Sequence, residues 1–228
     1  MCLLMVKPAG VPLPADFADI ADQAAWANPD GVGFAYTRDG KVIRHRSVSV
    51  TPAEFARIAQ TQIPDAAPAI IHFRFGTSGG TRKALCHPFR IGDGSAFAHN
   101  GVLPIKPAAG MSDTATIAAS VARADALLAA CAPHVSPGNK FAVLQPSSEL
   151  TILGEEHGQW DADIWYSNTY WQTVGTQAFC WEPDHFGDHE ELGLTDELTS
   201  LVSRYGYTAV REALRDIKSS FRVGFGPW

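Results

Sequence analysis

The apolar positions of this chain fall in short blocks with different periods. Leu3 to Val6 is a continuous apolar run of strand length, whereas Phe17, Ile20, Ala21 and Ala24, following Pro12 to Pro14, recur at the spacing of one helix face. Val32 to Tyr36, the Asp39-Gly40 pair and Lys41 to His45 predict a β-hairpin, because Asp-Gly readily supplies the positive φ of a tight turn. Thr51-Pro52-Ala53-Glu54 predicts a helix start with Thr as N-cap, Pro at the first helical position and Glu completing a capping box; the helix runs on through Phe55, Ile58 and Ala59. Ala69 to Arg74 is an apolar strand ending on a charge, at the mouth of the glycine-rich stretch Phe75 to Gly80.

Further along, Ser95 to Ala98 predicts a short strand. Ile117, Val121, Ala124 and Leu128 predict one helix over 112–131, capped by Ser112 or Asp113. Phe141 to Gln145 and Glu149 to Leu153, around Pro146-Ser147-Ser148, form a second hairpin, and Ile164 to Ser167 and Gln177 to Trp181 are strands. An acidic turn from Glu182 to Glu191 precedes a helical hairpin over 194–219, broken at Gly206. Strands joined by hairpins with a few helices argue an α+β fold of largely antiparallel sheet rather than a doubly wound parallel one. No internal repeat or low-complexity linker divides the chain.

Composition narrows the function classes. The 228 residues, 46% hydrophobic and 18% charged, support one sizeable domain with its own core. A mean hydropathy of −0.05 and the lack of a long apolar run argue against a membrane span. A net charge of −6 and a pI near 5.7 argue against nucleic-acid binding, which needs a concentrated basic face. The four cysteines, Cys2, Cys86, Cys131 and Cys180, contain no CxxC pair and suggest neither a zinc ribbon nor a disulfide framework. The start of the chain lacks the pattern of a signal peptide, so a cytoplasmic location is expected. Charge is unevenly spread: 70–106 holds Arg74, Arg82, Lys83, Arg90 and Lys106 against Asp93 alone. Such a zone in an acidic protein suits a small carboxylate; the bland reading is a solvated basic face.

Cys2 carries the sharpest candidate chemistry. Removal of Met1 would put a thiol and a free α-amine on one residue, and that amine, with an unperturbed pKa of about 7.7 to 8.0, is among the few protein groups that can act as a base near neutrality. By itself a cysteine at position 2 is most often a small apolar residue entering a strand. Its company is more specific. Met1-Cys2-Leu3-Leu4, Asp30-Gly31-Val32-Gly33, His72-Phe73-Arg74-Phe75-Gly76-Thr77, Cys86-His87-Pro88-Phe89, Ala98-His99-Asn100-Gly101-Val102-Leu103 and Ser112-Asp113-Thr114 occur in this order, with Tyr166-Ser167-Asn168 as a weaker final element. The series resembles the class II glutamine amidotransferases, which are N-terminal-nucleophile (Ntn) hydrolases.

The resemblance implies a four-layer αββα sandwich over 1–192, with the helical hairpin of 193–228 packed on the same domain. It implies Cys2 as nucleophile, Asn100 and Gly101 as oxyanion hole, Arg74 and Thr77 on the substrate carboxylate, Asp113 on the α-ammonium and His87 at the pocket wall. No metal or cofactor is implied. Substrates would be glutamine or a γ-glutamyl amide. Ammonia would pass to a separate ATP-dependent synthetase; the other readings are a stand-alone amidase and an inactive binding or regulatory relic. Two departures stand out: Ser78 occupies the place of a family histidine, and the Arg-Gly that often precedes the Asp-Gly turn is missing. Competing motifs are weaker. Gly76 to Lys83 lacks the nucleotide phosphate-loop arrangement, and His185 and His189, at metal-ligand spacing, lie between Pro183 and further acidic residues around Gly187, which favours a solvated loop.

Overall fold

The computed structural model describes residues 2–76 and 80–169. In chain order these form β1 (Leu3–Lys7), α1 (Phe17–Ala27), β2 (Val32–Arg38), β3 (Lys41–Ser47), α2 (Pro52–Gln62), β4 (Ala69–Phe73), β5 (Phe89–Arg90), β6 (Ala96–Asn100), α3 (Asp113–Ser120), α4 (Ala124–Cys131), β7 (Lys140–Leu144), β8 (Leu150–Leu153), β9 (Gln159–Asp161) and β10 (Ile164–Tyr166). The strands make a six-stranded sheet, β3-β2-β4-β1-β10-β9, and a four-stranded sheet, β5-β6-β7-β8. Every strand pairing among them is antiparallel. The fold is therefore α+β, as the pattern predicts.

Side-chain alternation sorts the strands' residues into distinct cores. Leu3 and Met5 of β1, Phe34 and Tyr36 of β2, and Ile71 and Phe73 of β4 pack with Phe17 and Ile20 of α1 and Phe55 and Ala59 of α2. Leu4 and Val6 instead meet Ile70, Ala35 and Trp165 from their own sheet and Ala96, Ala98 and Ala142 from the other. Phe97, Phe141 and Val143, on the opposite face of the four-stranded sheet, pack with Ala115 and Ala118 of α3 and Leu127 of α4. Both faces of β1 are consequently buried, which explains why its sequence is continuously apolar instead of alternating. The layer between the sheets is rich in alanine, and such small side chains let two sheets approach closely.

Local signals operate as chemistry dictates. Thr51 caps α2 by accepting the Glu54 N–H at 3.2 Å, and Ser112 caps α3 by accepting the Ala115 N–H at 3.1 Å. Asp39 and Gly40, with φ of 51° and 67°, make the β2–β3 turn. The single helix expected over 112–131 is two. Val121 and Arg123 are extended, with ψ of 131° and 150°. The turn between β5 and β6 intervenes: Gly92 N–H donates to the Val121 carbonyl at 3.3 Å, and the Asp93 carboxylate accepts the Ala124 N–H at 2.7 Å, capping α4 from outside its own sequence. The two-residue β5 and three-residue β9 were too short for the pattern to reveal. The expected strand at Gln177 to Trp181, the acidic turn and the helical hairpin of 194–219 lie outside the described residues.

Candidate active site

Antiparallel pairing brings one end of β1 together with the opposite ends of its neighbours. Leu3 pairs with Phe73 and Leu4 with His72, so the register places Cys2 across from Arg74 at the next step. Phe75 then meets the thiol directly: its N–H donates to Cys2 Sγ at 3.3 Å and its carbonyl accepts from the thiol at 3.4 Å. On the other side, Asn168 Nδ2 donates to the Cys2 carbonyl at 2.8 Å. Leu4 and Ile70, two and four residues from Cys2 and Arg74 along their strands, face the second sheet.

The same end of β6 supplies Asn100, whose Nδ2 donates to Ser167 Oγ at 2.7 Å. Ser167 is the hub. Its Oγ also accepts the Leu4 N–H at 2.9 Å, and its own N–H donates to the Leu4 carbonyl at 2.8 Å, so one buried hydroxyl ties the strand of the thiol to the strand of Asn100. Gly101 follows with φ of +147°, a conformation that favours glycine, and a Cβ there would collide with Asn139 Oδ1. Asn139 Oδ1 accepts the Val102 N–H at 2.9 Å and lies 3.0 Å from His99 Nε2, which fixes the turn that carries Gly101.

Asp113, the first residue of α3, is nearly buried and reaches this turn from the helix side. One carboxylate oxygen accepts the Leu103 N–H at 2.7 Å and the other the Thr114 N–H at 2.8 Å. Thr114 Oγ1 lies 3.0 Å from His99 Nδ1, so Asp113, Thr114, His99 and Asn139 form a connected support behind Asn100-Gly101. Arg74 is almost wholly buried, with Nη1 donating to the Gly80 carbonyl at 3.0 Å. The Asp30 carboxylate fastens the following loop by accepting the Gly76 N–H at 2.8 Å and the Thr81 hydroxyl at 3.2 Å. Thr77, within that loop, lies outside the described residues.

His87 is buried with its ring centroid 4.1 Å from that of His72 and 4.6 Å from that of Phe89, and neither ring nitrogen has a hydrogen-bond partner among the described residues. It is therefore packed in the interior rather than displayed at a surface. Its segment is held to the edge strand β3 by Arg46, which donates to the Ala84 and Cys86 carbonyls, and by Arg44, which donates to that of Pro88. Cys86 fits against Gly31, where any Cβ would strike its sulfur, and Cys131 lies in the core under α4; both thiols are pushed up by burial, Cys131 to about 11. Burial also pushes the Cys2 thiol up, opposed by the Phe75 N–H and the charge of Arg74. His72 is lowered to about 3 and His99 is also lowered, in each case chiefly by burial.

Ser167, Asn168 and Asn139 are the site residues that sequence reasoning underweighted. Tyr166-Ser167-Asn168 was visible only as a weak closing element, and Asn139 sits in an unremarkable Pro-Gly-Asn turn. A cleft of about 320 Å³, lined by Pro137, Lys140, His157, Ser167 and Asn168 among others, opens beside this hub. Among the described residues no group of three or more metal-ligating side chains occurs, and no helix is long and apolar enough to cross a membrane.

No protein-family model matches the chain, and no curated protein matches it. Among solved structures, the chain is similar to glutamine phosphoribosylpyrophosphate amidotransferase from B. subtilis, complexed with ADP and GMP, at 16% identity and a TM-score of 0.46 over 75% of this chain. The match spans 42% of that protein, less than half its length.

Proposed function

We propose that this chain is an Ntn glutamine amidohydrolase, built as a four-layer αββα sandwich and releasing ammonia from glutamine through a γ-glutamyl thioester on Cys2. The observation that carries the reading is the meeting of Cys2, Arg74 and the Asn100-Gly101 turn at one end of two facing sheets, joined through Ser167. A buried thiol whose pKa is raised is protonated near neutrality. It needs a base. Loss of Met1 would free the Cys2 α-amine to take the thiol proton without a third side chain.

The sulfur then attacks the side-chain amide carbon, and negative charge develops on the amide oxygen. Asn100 Nδ2, with one hydrogen on Ser167 and a second available, and the Gly101 N–H are the donors assigned to that oxygen. The α-ammonium returns its proton to the leaving nitrogen, ammonia departs, and water cleaves the thioester to glutamate and free thiol. Arg74 and Thr77 are assigned to the substrate carboxylate, Asp113 to its ammonium, and His87 to the wall behind them. A separate ATP-dependent synthetase is the proposed acceptor of the ammonia.

Intact mass of the purified protein, with and without an electrophilic glutamine analogue, tests this directly. Loss of Met1 and a single adduct at Cys2, blocked by excess glutamine, are expected. Protection by γ-glutamyl amides but not by glutamine would instead favour an amidase. A protein that retains Met1 and takes no adduct would leave the binding-relic reading standing and sink this one. Cys2→Ala is expected to abolish ammonia release; an unchanged rate removes Cys2 as nucleophile.

A further inference from the structure

His72 has no part in the chemistry just described, yet it is fully buried and its Nε2 lies 3.2 Å from the carbonyl oxygen of His99. A carbonyl can only accept, so the imidazole carries its proton on Nε2, and Nδ1 is left without a partner among the described residues. Position gives the bond its interest. His72 lies on β4 two residues before Arg74 and opposite Leu4, itself two residues after Cys2. The carbonyl it holds belongs to the peptide leading into Asn100, on the other sheet.

We propose that His72 is a positioning residue for the oxyanion turn, holding the main chain of Asn100-Gly101 at a fixed distance from Cys2 by a hydrogen bond between the sheets. The inference rests on the amidohydrolase reading above. Asn100 and Ser167 also bridge the sheets here, but that bond ends on a side chain that must remain usable by the substrate oxygen. The His72 bond fixes the backbone itself. Burial, with the charge of Arg74, keeps the ring neutral against the opposing pull of the His99 carbonyl, and the His87 ring packed beside it makes no hydrogen bond to Nδ1, so the clamp has one protonation state throughout the working range.

The test compares wild type, His72→Leu and His72→Gln with glutamine, together with alkylation of Cys2 by iodoacetamide, a displacement at carbon that develops no oxyanion. His72→Leu is expected to lower kcat by about 10- to 100-fold, the scale of an ångström-sized misplacement, while KM and the alkylation rate stay within about twofold. His72→Gln, whose amide N–H can still donate, is expected to recover most of the loss. Full kcat in His72→Leu, or equal losses in kcat and alkylation, would overturn the assignment. If His72→Leu does not fold, the imidazole ¹⁵N spectrum of the wild type and the kinetics of His72→Gln decide: an Nδ1–H tautomer refutes the clamp, as does a His72→Gln kcat as low as that of Asn100→Ala. A wild type that releases no ammonia overturns the functional reading itself, and the His72 role with it.

Discussion

At the scale of single residues, Cys2 and Arg74 illustrate different consequences of burial. The thiol is made harder to ionise, whereas the Arg74 guanidinium is buried just past the end of an apolar strand, with Nη1 on the Gly80 carbonyl. If the α-amine is the base, kcat/KM should rise with pH through roughly 8, the ordinary α-amine range, because only the neutral amine can accept the thiol proton. A profile flat from pH 6 to 9 would count against it. Arg74→Ala is expected to raise KM by about 10- to 100-fold, the equivalent of about 1.5 to 3 kcal/mol for hydrogen bonds to a charged group; steady-state kinetics with glutamine would show a KM near wild type if Arg74 does not meet the carboxylate. Asn100→Ala should instead act on kcat, by about 100- to 1,000-fold for a lost oxyanion donor. Cys2, Arg74 and Asn100 could be singled out in the sequence because each stands in a distinctive string. Ser167 and Asn139 were not, because serine in a strand exit and asparagine in a Pro-Gly-Asn turn are ordinary, and their importance arises from partners 163 and 37 residues away.

At the scale of elements, the sequence was read correctly at α2 and at the β2–β3 hairpin, where the deciding interactions are local. Thr51 with Pro52 sets the start of α2, and the Asp39-Gly40 turn sets the β2–β3 register. Reading failed at 121–123, where apolar spacing continued as though the helix did but the chain turned to satisfy Gly92 and Asp93. That cap is distant in sequence and so left no local signature. Asp93→Ala should therefore cost about 1 kcal/mol, the usual worth of an N-cap, although Asp93 belongs to no helix; a urea midpoint equal to wild type would show that α4 does not depend on it. Asn139→Leu should be more damaging, about 1 to 3 kcal/mol, since it strips an acceptor from the buried His99 ring. Calorimetry would check the ranking of the two.

For the molecule as a whole, three imidazoles are buried on either side of the four-stranded sheet, His72 in the layer between the sheets and His99 on the helix face. His72 and His87 touch, His99 stacks on Phe141 beyond them, and Arg74 adds positive charge nearby. All three are held below the ordinary histidine value of about 6.5 by burial first, His72 to about 3. Between those values the unfolded chain binds more protons than the folded one. Stability is therefore fully present above about pH 6.5 and is lost as pH falls toward 3, with a limiting slope of about 1.4 kcal/mol per pH unit for each histidine. Urea midpoints measured from pH 7.5 to 5 should decline, and less steeply in His72→Gln; a flat series would contradict the placement of these rings. The alanines between the sheets bear on evolution differently. Overpacking a core by a methyl or two costs about 1 to 3 kcal/mol, which a fold can survive, but a loss of about 100-fold in rate can follow from an ångström-sized shift of the Asn100-Gly101 turn, proposed above as the oxyanion hole, that hardly registers in a melting curve. Ala96, Ala98 and Ala142 work as the shims of a caliper, so drift at these positions would be exposed by turnover long before it was exposed by unfolding.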